Sequence, residues 1–333
     1  MWLISILMPV KNAAAYLPDC FDSILNQSES DWELLAVNDN SDDNSEEILE
    51  SYAEKDSRIK VFSNKGNGII EALRLAYKNA KGDLIHRMDA DDKMPEQKLA
   101  ILKKNLLEKG LGHIGTGKVK YFFSKEVSNG YLKYQDWLNE LIVKEEHWNE
   151  IYQECVIASP CWMVFRSDLD KCEAFKPNTY PEDYDLVFRF YKYGLKVIAI
   201  DEVLHLWRDH KTRASRNDKN YEEASFFKLK LDYFFKLDRV VNRPLVIWGA
   251  GTKGKQMAKL LNEKNIDYTW VSNNPNKHGK EIHEQILKSY EEILKTNNPQ
   301  IIVTVAQRNA KTEITRFLDG LKLKEYEDYY FFR

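Results

Sequence analysis

Ile85-His86-Arg87-Met88-Asp89-Ala90-Asp91-Asp92 sets three carboxylates directly after the short apolar run Leu84-Ile85. The apolar run reads as the end of a buried strand, and the polar residues as the loop leaving it. Carboxylates this close repel one another, so a folded protein gathers them only with a compensating cation. A hard divalent ion such as Mg²⁺ or Mn²⁺ binds one or two carboxylates and keeps positions for water and substrate phosphates. The alternative is a solvated acidic turn.

Upstream of this loop the chain alternates strand and helix. Leu3 to Val10 is rich in branched residues, and Tyr16 to Gln27 carries Leu17, Cys20, Phe21, Ile24 and Leu25 at helical spacing. Trp32 to Val37 predicts a second strand, Glu46 to Lys55 a helix capped from Asp43-Asn44-Ser45, and Ile59 to Phe62 a third strand. Gly66-Asn67-Gly68 opens a helix that Gly82 stops, and Leu84 to Met88 is the fourth strand. Such alternation implies right-handed crossovers and a mainly parallel sheet. Ligands then bind beyond the carboxyl ends of the strands, where Asn38 to Ser41 and Asp89 to Asp92 both fall.

From Leu111 to Tyr180 the pattern is irregular and aromatic-rich. Pro181-Glu182-Asp183-Tyr184-Asp185 then leads into a helix ended by Gly194, and Lys196 to Ile200 reads as a strand. Asn220 to Leu237 is a long amphipathic helix, followed by the break Asn242-Arg243-Pro244. A fresh β-α pattern begins there: a strand over Leu245 to Trp248, the loop Gly249-Ala250-Gly251-Thr252-Lys253-Gly254, a helix to Asn265, and strands over Asp267 to Val271 and Ile301 to Ala306. The expected organisation is a domain over 1–240, with 220–240 as its linking helix, and a small Rossmann-like α/β domain over 241–333. The loop fits GxGxxG between strand and helix. The next strand, however, ends in Ser272-Asn273-Asn274 where a dinucleotide site wants an acid for the ribose, so a degenerate module serving packing or recognition is expected.

Composition narrows the class. At 333 residues the chain favours two domains, and a formal charge of -3 gives no global basic signature for nucleic acid. Cys20, Cys155, Cys161 and Cys172 form no CxxC pair and read as reduced thiols of a cytoplasmic protein. The apolar start Met1 to Pro9 lacks a basic n-region and reads as a strand, and no later segment reads as an integral membrane span. A homo-oligomer is compatible with all of this.

Five segments in order now carry a resemblance. Ser5-Ile6-Leu7-Met8-Pro9-Val10-Lys11-Asn12, Val37-Asn38-Asp39-Asn40-Ser41, Gly68-Ile69-Ile70-Glu71-Ala72-Leu73, Arg87 to Asp92, and Pro181 to Leu186 together resemble the GT-A glycosyltransferases of family 2. These are inverting enzymes that use nucleotide sugars. The resemblance implies a GT-A domain, a mainly parallel sheet flanked by helices, and a UDP-sugar donor. It places Pro9, Val10, Asn12 and Gly68 at the donor, and gives Asp39 the uracil N–H, which an ionised carboxylate accepts. Asn38 stands where the family usually has a second Asp. Asp89 and Asp91 match the DxD that holds Mn²⁺ or Mg²⁺, with His210 as third ligand or diphosphate contact and Arg208 or Arg213 near phosphate oxygens. Asp183 matches the general base, on the acceptor side with Glu182. Trp162, after Ser159-Pro160-Cys161, reads first as core packing and otherwise as an acceptor-binding ring that stacks on a sugar.

The implied function is hexose transfer (Gal, GlcNAc or Glc) to a hydroxyl of a glycan or lipid-linked acceptor, in surface-polysaccharide or glycan assembly. The tail, including Leu321-Lys322-Leu323 and Tyr329-Tyr330-Phe331-Phe332, resembles that of the β-1,3-N-acetylglucosaminyltransferase-like relatives associated with queuosine galactosylation, which makes tRNA an alternative acceptor. A third reading is a non-catalytic nucleotide-sugar-binding scaffold.

Overall fold

The computed structural model describes residues 2–122, 129–210, 213, 216, 218–305 and 308–332. Two compact units emerge, Met1–Trp148 with Val156–Asn217, and Asn149–Cys155 with Asp218–Arg333.

In the first unit, β1 (Ile4–Val10) is followed by α1 (Leu17–Leu25), which begins with proline in its first turn and buries Leu17, Cys20, Phe21 and Ile24. Each large apolar side chain removed from water this way contributes about 1.5–3 kcal/mol. Then come β2 (Trp32–Asn38), α2 (Ser45–Lys55), β3 (Ile59–Ser63), α3 (Ile69–Asn79) and β4 (Leu84–Arg87). The remainder comprises α4 (Lys98–Lys109), β5 (His113–Phe122), α5 (Asn129–Lys144), β6 (Trp162–Phe165), α6 (Arg166–Lys171), α7 (Glu182–Lys192) and β7 (Lys196–Arg208).

Among the described residues these strands form one sheet ordered β3-β2-β1-β4-β6-β5-β7. It is parallel except where β6 runs against β4 and β5. Ile4 lies opposite both Trp32 and Leu84, so β1, β2 and β4 are in step and the loops after them open on one edge. The α/β architecture with its mainly parallel sheet is the one expected. The aromatic stretch, which gave no period, holds two strands, β5 and β6. Strand β7 runs eight residues past the expected end at Ile200, because the exposed pair Asp201-Glu202 interrupts its apolar run while pairing with β5 resumes beyond a bulge at Lys118.

The second unit has five parallel strands in the order β12-β9-β8-β13-β14, namely β8 (Leu245–Trp248), β9 (Thr269–Ser272), β12 (Lys288–Ser289), β13 (Gln300–Val303) and β14 (Tyr329–Phe331). A small hairpin, β10 (Glu281–Ile282) with β11 (Gln285–Ile286), sits before β12. The helix Glu223–Leu237, expected as a linker of the first domain, falls in this unit, as does Asn149–Cys155. Lys230 on that helix is buried with its ammonium on the Gln153 carbonyl at 2.8 Å, and Tyr152 stacks on Phe332 at 5.0 Å. Among the described residues no helix is long and apolar enough to cross a membrane.

Candidate active site

Three loops meet at the carboxyl edge of β1, β2 and β4. The β1 and β2 loops brace each other: the Asp39 N–H donates to the Val10 carbonyl at 2.7 Å, the Asn12 N–H to Ser41 Oγ at 3.0 Å, and the Asp42 N–H to Asn12 Oδ1 at 2.7 Å. Asn12 takes φ 50, a left-handed geometry that asparagine tolerates. Asn38, the departure from the family pattern, accepts from the Ser41 N–H at 3.2 Å and so holds the same turn. Asp43 accepts the Ser45 N–H at the start of α2 at 3.0 Å with one oxygen, and its other oxygen and Ser45 Oγ accept the Ala14 and Ala13 N–H groups of the β1 loop at 3.0 and 2.9 Å.

Asp39 is 3% exposed, and its Oδ1 accepts from the Asn64 side-chain amide at 2.6 Å. The Gly68 N–H reaches both carboxylate oxygens, at 3.1 and 3.0 Å. Gly68 sits at φ +97, which glycine adopts without strain. Thus Pro9, Val10, Asn12, Asp39 and Gly68 are drawn to one edge. Oδ2, which among the described residues accepts from Gly68 alone, keeps acceptor capacity for a ligand N–H.

The acidic loop divides its three carboxylates. Asp89 Oδ1 faces Arg87 Nε at 3.1 Å, and the buried Arg87 also reaches Glu182 Oε1 at 3.1 Å. Burial raises the Asp89 pKa, opposed by Arg87. Asp91 Oδ2 meets His210 Nε2 at 2.7 Å, and the imidazole lies against the Tyr16 ring with centroids 4.4 Å apart. Burial pushes the Asp91 pKa up, but the His210 hydrogen bond and the Arg213 charge outweigh it and hold the carboxyl below its ordinary range. Asp92 turns inward, fully buried, with Oδ2 on His205 Nε2 at 2.9 Å and Oδ1 on the Arg208 N–H at 2.7 Å.

A divalent ion fits one part of this arrangement. Asp91 and His210 supply a carboxylate and an imidazole side by side, a donor pair that Mn²⁺ or Mg²⁺ accepts while keeping room for phosphate oxygens. Asp89 is turned to Arg87, and among the described residues no three carboxylate, imidazole or thiol groups converge as a ready cage. Of the expected ligands Asp89, Asp91 and His210, the structure brings Asp91 and His210 side by side and turns Asp89 to Arg87.

Asp183, in the first turn of α7, is partly exposed and accepts the Tyr184 N–H at 2.7 Å. Burial first, then the Glu182 charge, pushes its pKa to about 7, against the pull of Arg87. Glu182, expected at the acceptor, is 7% exposed and committed to Arg87. Trp162 is a correction: at 1% exposure in β6 its ring packs edge-on to Phe190 and offers no face to a sugar. Arg208 donates through its guanidinium to the Asp91 carbonyl at 2.7 Å and to Asp19 at 2.8 Å. Arg213 is described, while residues 211, 212, 214 and 215 of the same segment lie outside the described residues. Sequence reasoning missed Arg87, Tyr16, Lys98 and His205; of these only Arg87, inside the acidic stretch, carried a local signal.

In the second unit the glycine loop is used internally. A Cβ on Gly254 would lie 2.0 Å from the Gly249 carbonyl oxygen, so this glycine is demanded by helix-to-strand packing. Asn273, where a ribose-binding acid is wanted, accepts from the Trp248 indole, and Lys277 Nζ donates to the Ala250 carbonyl at 2.6 Å.

Comparison with known proteins adds the following. The family described as Glycosyl transferase family 2 matches residues 5–173. Glycosyltransferase GlyG of Streptococcus pneumoniae is 27% identical over 217 residues, covering 62% of this chain and 70% of GlyG. The uncharacterized glycosyltransferase EpsJ of Bacillus subtilis is 28% identical over 216 residues, covering 62% of this chain and 61% of EpsJ. Among solved structures, TarS of S. aureus in complex with UDP-GlcNAc aligns with a TM-score of 0.53 at 16% identity, over 78% of this chain and 80% of that one. Mannosyltransferase PcManGT from Pyrobaculum calidifontis, in complex with GDP-Man and Mn²⁺, gives 0.53 at 18% identity, over 72% and 65%. At such identities these structures speak for the fold.

Proposed function

The chain belongs to glycosyl transferase family 2, and from that premise we propose that it is an inverting, metal-assisted hexosyltransferase that moves a sugar from UDP to a hydroxyl of a glycan or lipid-linked acceptor. The observation that carries this reading is the place of Asp183, a partly exposed carboxylate in the first turn of α7 next to the Arg87–Glu182 pair, where burial and Glu182 push its pKa up to about 7. A general base works best when its pKa lies near the operating pH. Asp183 takes the proton from the acceptor hydroxyl as that oxygen forms its bond to C1. The C1–O bond to the diphosphate breaks on the opposite face, and its electron pair leaves with UDP, inverting the anomeric centre.

Asp39, Asn12 and the Gly68 N–H fix the nucleoside end, with Asp39 Oδ2 accepting the base N–H. Asp91 and His210 would hold Mn²⁺ or Mg²⁺, which when bound neutralises charge on the departing diphosphate. Pairing of Asp89 with Arg87 orients that loop rather than adding a ligand. The four cysteines are buried free thiols, which supports a cytoplasmic setting.

The test uses purified enzyme, a UDP-sugar panel and Mn²⁺. Asp183→Asn is expected to lose at least about a hundredfold in transfer while binding UDP as before. Asp91→Asn and EDTA are each expected to suppress turnover. Full transfer by Asp183→Asn would give the base role to another group, and full activity in EDTA would remove the ion from the reading.

A further inference from the structure

Beneath the acidic loop lies a charged chain that the proposed reaction does not use. Lys98, His205 and Asp92 all have zero exposure, and they come from α4, β7 and the loop after β4. Lys98 Nζ donates to the Pro160 carbonyl at 2.7 Å and meets His205 Nδ1 at 3.0 Å, and His205 Nε2 meets Asp92 Oδ2 at 2.9 Å. An ammonium only donates, so Nδ1 must accept. The proton of the neutral imidazole therefore sits on Nε2 and points at Asp92. The result is a buried lysine and a buried aspartate joined through one imidazole ring in a defined tautomer.

Asp92 uses its second oxygen on the Arg208 N–H at 2.7 Å. Around it, Lys93 and Leu206 exchange backbone hydrogen bonds at 3.1 and 3.0 Å, and Arg208 Nε holds the Asp91 carbonyl at 2.7 Å. This ties the end of β7 to the acidic loop two residues before His210 and one residue after Asp91. We propose that Lys98 and His205 are positioning residues which, through Asp92, keep Asp91 and His210 side by side where a divalent ion would bind. The inference rests on the reading that Asp91 and His210 are the ion's ligands. Neither Lys98 nor His205 touches substrate. Their task is to fix the orientation of the buried Asp92 carboxyl, so that one oxygen stays on His205 and the other on the Arg208 N–H; removing a partner would leave a buried polar group unpaired.

Glutamine supplies the decisive control, because its Oε1 and Nε2 reproduce the acceptor and donor of that imidazole. The experiment measures Mn²⁺-dependent UDP binding by calorimetry on the full chain, with circular dichroism as the folding control. His205→Leu and Lys98→Met are expected to raise the Mn²⁺ concentration for half-maximal coupling at least tenfold, with UDP binding in EDTA unchanged. His205→Gln is expected to restore it to within threefold of wild type. Should His205→Leu not fold, Lys98→Met keeps the His205–Asp92 bond and carries the test alone. A folded Lys98→Met or His205→Leu with wild-type Mn²⁺ coupling overturns the positioning role. So does a His205→Gln no better than His205→Leu. Wild-type UDP binding that ignores Mn²⁺ altogether overturns the underlying ligand assignment instead, and the inference falls with it.

Discussion

At the scale of single residues, Asp183 exposes a conflict between stability and reaction. Its ordinary carboxyl value of 3.8 is raised to about 7 by burial and by Glu182. Between those values the unfolded chain releases the proton while the folded protein keeps it, so stability is fully present at low pH and falls as pH rises through this window. Above about 7 both states are ionised and the deficit is constant, on the order of a few kcal/mol at 1.4 kcal/mol per pKa unit. Asp183→Asn keeps an oxygen for the Tyr184 N–H and carries no charge. In metal-free buffer at pH 8 it is expected to melt about 3–8 °C higher than wild type while losing transfer. An equal or lower melting temperature in differential scanning calorimetry would mean the carboxylate is not strained. The same shift predicts a kcat/KM that declines about tenfold per pH unit on the acid side, from near neutrality. A profile flat down to pH 5 would contradict it. That Asp89, Asp91 and Asp183 lie at element boundaries was legible in the sequence, because each stands in a polar cluster beside an apolar run. The buried relay was not, since Lys98 looks like any surface lysine of a helix and only the fold brings His205 to it across the sheet.

At the scale of elements, periodicity found what is exposed on one face or bounded by turns. β1, β2, β4 and β8 were visible as apolar runs closed by polar loops. β5 and β6 were not, because β5 carries Gly115 and Gly117 within its run and β6 lies inside a long aromatic-rich stretch that shows no regular period. The glycine loop of the second unit shows how a motif can be read twice. If its glycines serve packing, Gly254→Ala forces a methyl to within 2.0 Å of the Gly249 carbonyl, whereas a Cβ on Gly251 meets nothing within 4 Å. Gly254→Ala is therefore expected to destabilise the second unit by about 2–4 kcal/mol, and Gly251→Ala to stay within about 1 kcal/mol. Urea denaturation followed by the fluorescence of Trp248 and Trp270 reads both. A silent Gly254→Ala would return the loop to the class of ligand-binding turns.

At the scale of the whole molecule, the acceptor class is decided by how charge is spent. Binding to tRNA needs lysines and arginines whose positive charge faces solvent, because affinity comes from counterions released at phosphates. In the second unit Lys253 pairs with Glu223 at 3.5 Å, Lys259 with Glu263 at 3.9 Å and Lys264 with Asp232 at 2.6 Å, while Lys277 is held by the Ala250 carbonyl. These pairs add little stability in water, but each carboxylate beside a lysine repels a phosphate that approaches it. With 49 basic against 52 acidic side chains, the full chain has no surplus to offset them. The chain is therefore expected to show only weak retention of unmodified or queuosine-containing tRNA, with little change between 50 and 200 mM salt. A protein making six or more phosphate contacts would lose on the order of a thousandfold in affinity over that range. Filter binding across the two salt concentrations separates the cases. Tight, saturable binding at 50 mM that collapses at 200 mM would move the acceptor from glycan hydroxyls to nucleic acid. Weak, salt-insensitive retention would leave a glycan hydroxyl, rather than nucleic acid, as the acceptor.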